Sequence, residues 1–467
     1  MEVITRFAPS PTGKLHLGSI RTALYSWLFA KRFNGKFILR IENTDQKRID
    51  QESVNSIINS MQWLGLNWDS GPYFQTSKIA NYRAIIKNMI DSGLAYPCYC
   101  SQERLNNLRS VQIKTGKKPK YDRHCRLLKN KCIKNKNYVI RFANPEIGYV
   151  TFYDLIRGKI IFQNSELDDL IILRSNGIPT YNFCAVIDDH EMNITHVIRG
   201  EDHLNNTPRQ LNIFKALKLI PPKYAHISMI LDENKRKLSK KNQDTDILQY
   251  KDDGILPEAL LNYLVRLGWS CGNQEIFNID EMKNLFDIKS INKANCIFNK
   301  SKLLWINQYY ISNIPTSNIL TKIIEYFKTY NIDTKHGPNL EKIVNLFKSR
   351  SKTLKEIFNQ IVYFYRDIYK IEINLLSKYL LINQKFILEL IYKNLKIIQV
   401  WSTKDIKNII LKTAQKTNTN MKNVAMPLRI ILSGRENTPS IDILIYTCGK
   451  IYTLKKIKIA LQFITNK

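Results

Sequence analysis

The stretch Arg6-Phe-Ala-Pro-Ser-Pro-Thr-Gly-Lys-Leu-His-Leu-Gly-Ser19 decides how the chain is read. Around its start, Val3, Ile4 and Phe7 form a short apolar run that reads as a buried strand. Pro9, Pro11 and Gly13 stop that strand and force a loop. Ile20, Ala23, Leu24, Trp27 and Leu28 then recur at helical spacing, and Gly35 closes the helix. Lys36 to Ile41 makes a second apolar strand that runs out into Glu42 and Asp45. The result is one βαβ unit.

Its first turn suits phosphate. The helix start at His16–Ser19 presents unpaired N–H groups and the positive end of the helix dipole. Gly13 and Gly18 let a ligand approach the backbone, and Arg6 and Glu42 sit at the carboxyl ends of the strands, where open α/β sheets bind ligands. Gly13 and Gly18 have Walker spacing, but Ser19 stands where the lysine must be, and the dinucleotide pattern G-x-G-x-x-G is absent.

Further along, Asp50 to Gly65 and Asn81 to Gly93 carry one apolar face each and read as helices covering a parallel sheet. Gly65-Leu-Asn-Trp-Asp-Ser-Gly-Pro72 between them reads as a loop. Cys98-Tyr-Cys100 and Tyr121-Asp-Arg-His-Cys125 flank a basic helix; the three thiols suit a tetrahedral zinc ion or three buried free cysteines, and both stay open. Tyr138 to Ile172 alternates apolar and polar residues and reads as one small antiparallel sheet inserted between two halves of the first domain. Val197-Ile-Arg-Gly-Glu-Asp-His203 brings Arg199 to a strand end beside Arg6 and Glu42. A single arginine there would pair with Asp202 or Glu201; two arginines in one crevice are better explained by an anionic ligand. The basic run Lys237-Leu-Ser-Lys-Lys241 would by itself be a solvated loop. After residue 310 the pattern is helical throughout, most clearly at Leu340 to Tyr369 and Thr453 to Ile464.

Lys and Arg outnumber Asp and Glu by 71 to 40 in 467 residues, a formal charge of +31 that attracts polyanions, although AT-rich coding would inflate lysine everywhere. No apolar run approaches the roughly 20 residues of a membrane span. The chain enters a strand at once, leaving no room for a signal peptide, and its eight cysteines form no disulfide framework, so a cytoplasmic location is expected.

Pro9 to Ser19 resembles the first signature of the class I aminoacyl-tRNA synthetases, and Leu39-Arg-Ile-Glu-Asn-Thr-Asp45 ties the resemblance to the glutamyl and glutaminyl branch. Lys237 to Lys241 resembles the second signature, a mobile loop over the phosphates of ATP. The likeness, which covers the whole chain, implies an α/β fold: a Rossmann-type catalytic domain with an inserted acceptor-end binding domain, then all-α anticodon-binding domains. The implied divisions are a first catalytic half at 1–95, the insertion at 96–178, a second catalytic half at 179–242 and a stem-contact region at 243–310. Two helical anticodon subdomains follow at 311–375 and 376–467.

The implied chemistry is activation of L-glutamate with ATP and Mg²⁺ and its transfer to tRNA-Glu by a monomer. The resemblance gives ATP to Thr12, His16, Gly18, Lys237, Ser239 and Lys240, with His16 and Lys240 catalytic. It gives glutamate to Arg6, Ala8, Ser10, Glu42, Tyr181 and Arg199, and an anticodon contact to Arg350. Relatives place the fourth zinc ligand either two residues after the last cysteine, which is Leu127 here, or four before it, which is Tyr121. Glutaminyl relatives have Pro-Pro-Glu-Pro-Asn where this chain has Ala8-Pro-Ser-Pro-Thr12, and they read anticodons with β-barrels. A short relative that glutamylates a tRNA base shares the Tyr121 spacing but lacks a helical C-terminal third. A non-enzymatic tRNA-binding protein would have lost His16 or Lys240.

Lys240→Ala is expected to lower adenylate formation by about 10² or more, the cost of one transition-state donor. ATP–pyrophosphate exchange measures it, and near-normal exchange would refute the assignment.

Overall fold

The computed structural model describes residues 2–44, 50–127, 137–236, 246–366, 373–382 and 384–465. It divides into two compact units, Met1–Tyr250 with Leu260–Lys300, and Lys251–Ala259 with Ser301–Lys467.

In the first unit, β1 (Ile4–Phe7), α1 (Leu17–Arg32) and β2 (Lys36–Ile41) form the βαβ unit, with β1 and β2 parallel. Helix α1 is buried on nearly every side, continuously from Ala23 to Ala30, because it packs on the sheet and also meets Phe286 through Tyr25. After α2 (Gln51–Trp63), the segment expected as a loop supplies β3 (Ser70–Phe74), the third parallel strand. An edge position explains how β3 tolerates Pro72, which has no N–H to give to a ladder. Helix α3 (Ile79–Asp91) follows, burying Tyr82, Ile86 and Met89.

The single inserted sheet expected at Tyr138 to Ile172 is instead divided between two sheets. One joins β4 (Ala95–Cys98), β5 (Val139–Phe142) and, after the hairpin of β6 (Tyr149–Asp154) and β7 (Gly158–Gln163), β8 (Ile171–Leu173), all antiparallel. Helices α4 (Gln102–Lys114) and α5 (His124–Leu127) lie between β4 and β5 in sequence. The β6–β7 hairpin belongs to the second sheet, of order β7-β6-β10-β9, with β9 (His196–Gly200) and β10 (Lys223–Ile227). Alternation alone cannot tell which sheet a strand joins; the parallel pairing of Asp154 with Tyr224 decides it. Helices α6 (Tyr181–Glu191) and α7 (Thr207–Ala216) connect this second half. Strand β1 runs beside the start of β9, where Thr195 N–H donates to Ile4 O at 2.9 Å.

The second unit is helical. Asn307, fully buried, accepts from Leu256 N–H at 2.8 Å and donates to Lys352 O at 2.6 Å. From Leu340 the helical stretch is carried by two helices, Leu340–Lys348 and Leu354–Ile361, followed by a 3₁₀ turn at Val362–Tyr365. Thr353 breaks it, since its hydroxyl accepts from Glu356 N–H and starts the second helix. Phe358 of that helix stacks on Tyr326 and Tyr330. No described helix is long and apolar enough to cross a membrane.

The turn into β2 is closely packed. Gly35 N–H donates to Ala30 O at 2.8 Å, and a Cβ on Gly35 would lie 2.0 Å from Val3 O. Gly35→Ala is expected to cost about 1–3 kcal/mol, as for other overpacked sites. A urea unfolding midpoint equal to that of the wild type would show that the backbone yields freely.

Candidate active site

The carboxyl ends of β1, β2 and β9 and the start of α1 open onto a cleft of about 570 Å³. Every described residue that the sequence assigned to ATP or glutamate lines it: Arg6, Ala8, Ser10, Thr12, His16, Gly18, Glu42, Tyr181 and Arg199. Lys237, Ser239 and Lys240 lie outside the described residues. Arg350 belongs to the second unit, exposed in the turn after the Leu340–Lys348 helix.

At one end of the cleft, His16 is the N-cap of α1. Its Nδ1 accepts from Ser19 N–H at 3.3 Å, and Nε2 lies 3.0 Å from Ser19 Oγ. A Cβ on Gly18 would come within 3.1 Å of the imidazole, so the absent side chain leaves the ring its place. Gly13 has φ +129°, a conformation L residues rarely adopt. This end offers amide donors and a positive dipole.

The other end is ionic. Arg6 Nε lies 3.4 Å from Asp189 Oδ1, which also takes Arg40 Nη1 at 2.7 Å. Arg40 Nη2 lies 3.3 Å from Glu42 Oε1. Burial, opposed by Arg40 and Arg6, pushes the Glu42 carboxyl up to about 7. Asp189 is buried too, but the same two arginines hold its carboxyl below the ordinary range. Arg199 contacts neither of the acids expected for it. Glu201 pairs with Arg157, while Arg199 bonds His226 and Thr207. Tyr181 Oη lies 3.2 Å from His203 Nδ1. Burial and the nearby Arg199 lower that imidazole to about 4, so near neutral pH it is uncharged and can accept a hydrogen bond from the phenol.

Sequence reasoning gave no role to Arg40, Asp188 or Asp189. An arginine inside the apolar run Phe37-Ile-Leu-Arg-Ile41 was the available signal, because a buried guanidinium demands carboxylate partners.

Apart from the cleft, Cys98, Cys100 and Cys125 bring their Sγ atoms within 4.8 Å of one another. Tyr121 Oη lies 3.3 Å from Cys98 Sγ and 3.6 Å from Cys100 Sγ, whereas His124 is exposed. Against burial, Tyr121 and the Cys100 backbone hold the Cys98 thiol below its ordinary value, while burial pushes Cys100 up to about 11. Three soft sulfurs and a phenol at one point fit a zinc ion by donor type and number.

The family described as tRNA synthetases class I (E and Q), catalytic domain, matches residues 2–305, and the anticodon binding domain family matches residues 318–461. The glutamate–tRNA ligase of Wigglesworthia glossinidia brevipalpis is 62% identical over 466 residues, 100% of this chain and 98% of that one. That of Buchnera aphidicola subsp. Baizongia pistaciae is 52% identical over 468 residues, covering 100% and 99%. The crystal structure of a glutamate tRNA ligase from Elizabethkingia meningosepticum, in complex with its amino acid, superposes with a TM-score of 0.85 at 31% identity, covering 99% of this chain and 100% of that one. With a phosphate-suited helix start, two arginines and a glutamate in one cleft, and relatives of this identity along its full length, the chain belongs to the glutamate–tRNA ligases of the class I aminoacyl-tRNA synthetase family.

Proposed function

We propose that the cleft joins L-glutamate to tRNA-Glu in two steps. The α-carboxylate of glutamate attacks the α-phosphorus of ATP, the bond to the bridging oxygen breaks, and pyrophosphate leaves glutamyl-adenylate. The 2′-hydroxyl of the terminal adenosine of tRNA then attacks the activated carbonyl, AMP departs, and the hydroxyl proton is released. No protein nucleophile is required, so the residues act by positioning and by opposing charge.

One observation carries this reading: Arg6, Arg199 and Glu42 share the cleft with the amide-bearing start of α1. Glutamate has two carboxylates and an ammonium, and the ionic end has charges for both. Arg199 takes the side-chain carboxylate, Glu42 the ammonium, and Arg6, Ala8, Ser10 and Tyr181 complete the pocket. Thr12, His16 and Gly18 hold ATP, and Lys237, Ser239 and Lys240 close on its phosphates. Mg²⁺ supplies phosphate charge neutralisation when bound. It would arrive on ATP, because the metal-suited cluster among the described residues is the thiol trio, the wrong donors for that ion. Zinc, held by Cys98, Cys100, Tyr121 and Cys125, would brace the insertion that grips the acceptor end. Residues 318–461 and Arg350 would read the anticodon, aided by the charge of +31. The enzyme works as a monomer in the cytoplasm on this reading.

The test is charging of purified tRNA-Glu and tRNA-Gln with labelled glutamate, with glutamine as the control amino acid. Glutamate on tRNA-Glu is expected; no transfer to either tRNA would overturn the reading.

The pocket also sets a pH dependence. Glu42 must be ionised to take the ammonium, and its carboxyl titrates at about 7. The kcat/KM for glutamate, which reports free-enzyme ionisations, is expected to fall roughly tenfold per unit as pH drops below that value and to level off above it. Glu42→Gln should lower the plateau and abolish the slope. A wild-type profile flat from pH 6 to 8 would exclude that titration, and an unchanged glutamate KM in Glu42→Gln would exclude the role.

A further inference from the structure

Arg199 is held from behind by a chain of buried side chains that has no part in the chemistry above. Its Nε donates to His226 Nε2 at 3.1 Å, and its Nη2 donates to Thr207 Oγ1 at 2.8 Å. Thr207 Oγ1 lies 3.1 Å from the same imidazole nitrogen. Because Nε2 accepts from the arginine, the ring proton sits on Nδ1, 2.6 Å from Asp154 Oδ2. The Asp154 carboxylate is itself anchored by backbone N–H groups, those of His226 at 3.1 Å, Ile156 at 3.0 Å and Arg157 at 2.9 Å. Asp154, Thr207 and His226 are fully buried, and none of them lines the cleft.

The arrangement differs from that of Arg6, which meets the carboxylate of Asp189 directly. Among the described residues Arg199 makes no ion pair; its partners are a neutral imidazole and a hydroxyl. The negative charge is one ring away on Asp154, where it fixes the tautomer of His226. Two nitrogens of the guanidinium are thus tied down without neutralising it, and among the described residues none takes Nη1, on a side chain that lines the cleft. A buried cation oriented but unneutralised binds an incoming carboxylate strongly, and a neutral amide would leave it uncompensated.

We propose that Asp154, His226 and Thr207 are positioning residues that hold Arg199 uncompensated for the substrate's side-chain carboxylate, and so set the preference for glutamate over glutamine. This rests on the assignment of Arg199 to that carboxylate.

The test is steady-state kinetics of ATP–pyrophosphate exchange on the full chain, with tRNA present. His226→Phe keeps a ring against Tyr224 and removes both nitrogens. It is expected to raise the KM for glutamate about tenfold or more, as loss of an orienting outer partner does, with the KM for ATP changed by no more than about twofold. The ratio of kcat/KM for glutamate over glutamine should fall with it. His226→Gln, which keeps an acceptor and a donor, should restore most of the affinity. An unchanged glutamate KM in His226→Phe would overturn the proposal, as would equal rises for both ligands that glutamine does not rescue. If His226→Phe does not fold, Thr207→Val decides: a raised glutamate KM supports the proposal and an unchanged one removes it. Arg199→Ala in the same assay separates the two levels. If it leaves glutamate KM unaltered, the parent assignment fails; if it raises KM while His226→Phe does not, only the positioning role fails.

Discussion

Arg40 is the constraint on which the catalytic unit is built. It lies fully buried on β2, with Asp189 at 2.7 Å, Glu42 at 3.3 Å and Asp188 at 3.6 Å. Burying an ion costs several kcal/mol unless partners repay it, so none of these groups could be buried alone. Asp188 is further tied to Gln75 at 2.8 Å and to Tyr82 at 2.7 Å. The partners come from α6 as well as from the first half of the sheet, so the two halves are held in one arrangement by charge as well as by apolar packing. The network also fixes the geometry of the cleft. It places an anion, Glu42, and a cation, Arg6, in one cleft and neutralises each from behind.

The thiol cluster is joined to its sheet in a comparable way. Arg141 of β5 stacks on the Tyr121 ring at 3.7 Å and donates to Asp169 O at 2.8 Å. Asp169, fully buried, accepts from Tyr96 of β4 at 2.6 Å. The phenol that faces the sulfurs is therefore oriented by the three-stranded sheet, whatever occupies the site.

The βαβ unit was legible because its signals are local: prolines and a glycine that stop a strand, helical spacing from Ile20 to Leu28, and acids at a strand end. The cleft residues were legible for the same reason, since Arg6 to Gly18 and Glu42 are fixed by short motifs. What escaped depends on long-range pairing. Alternation in β6 and β7 shows a hairpin but not that it would join β10, and nothing near Ser70 announces an edge strand. Asp188 and Asp189 follow Val186 and Ile187 as an ordinary helix end would; only the fold shows that they face Arg40. Likewise His226 and Asp154 are distant in sequence and meet through the single parallel pairing of Asp154 with Tyr224.

That pairing has a consequence for how the protein is made. During synthesis β6 leaves the ribosome well before β10, so Asp154 and Arg157 spend that interval without the strand that satisfies them. Strand β1 waits longer still for the residue beside it, Thr195. Contacts of such long sequence separation close late and slowly. The thiol cluster and its sheet, drawn from residues 95 to 173, can form first, while the substrate cleft exists only once the chain beyond Ile227 has emerged. A nascent fragment ending between Gly200 and β10 therefore carries both arginines of the cleft, Arg6 and Arg199, but no assembled pocket for them to serve.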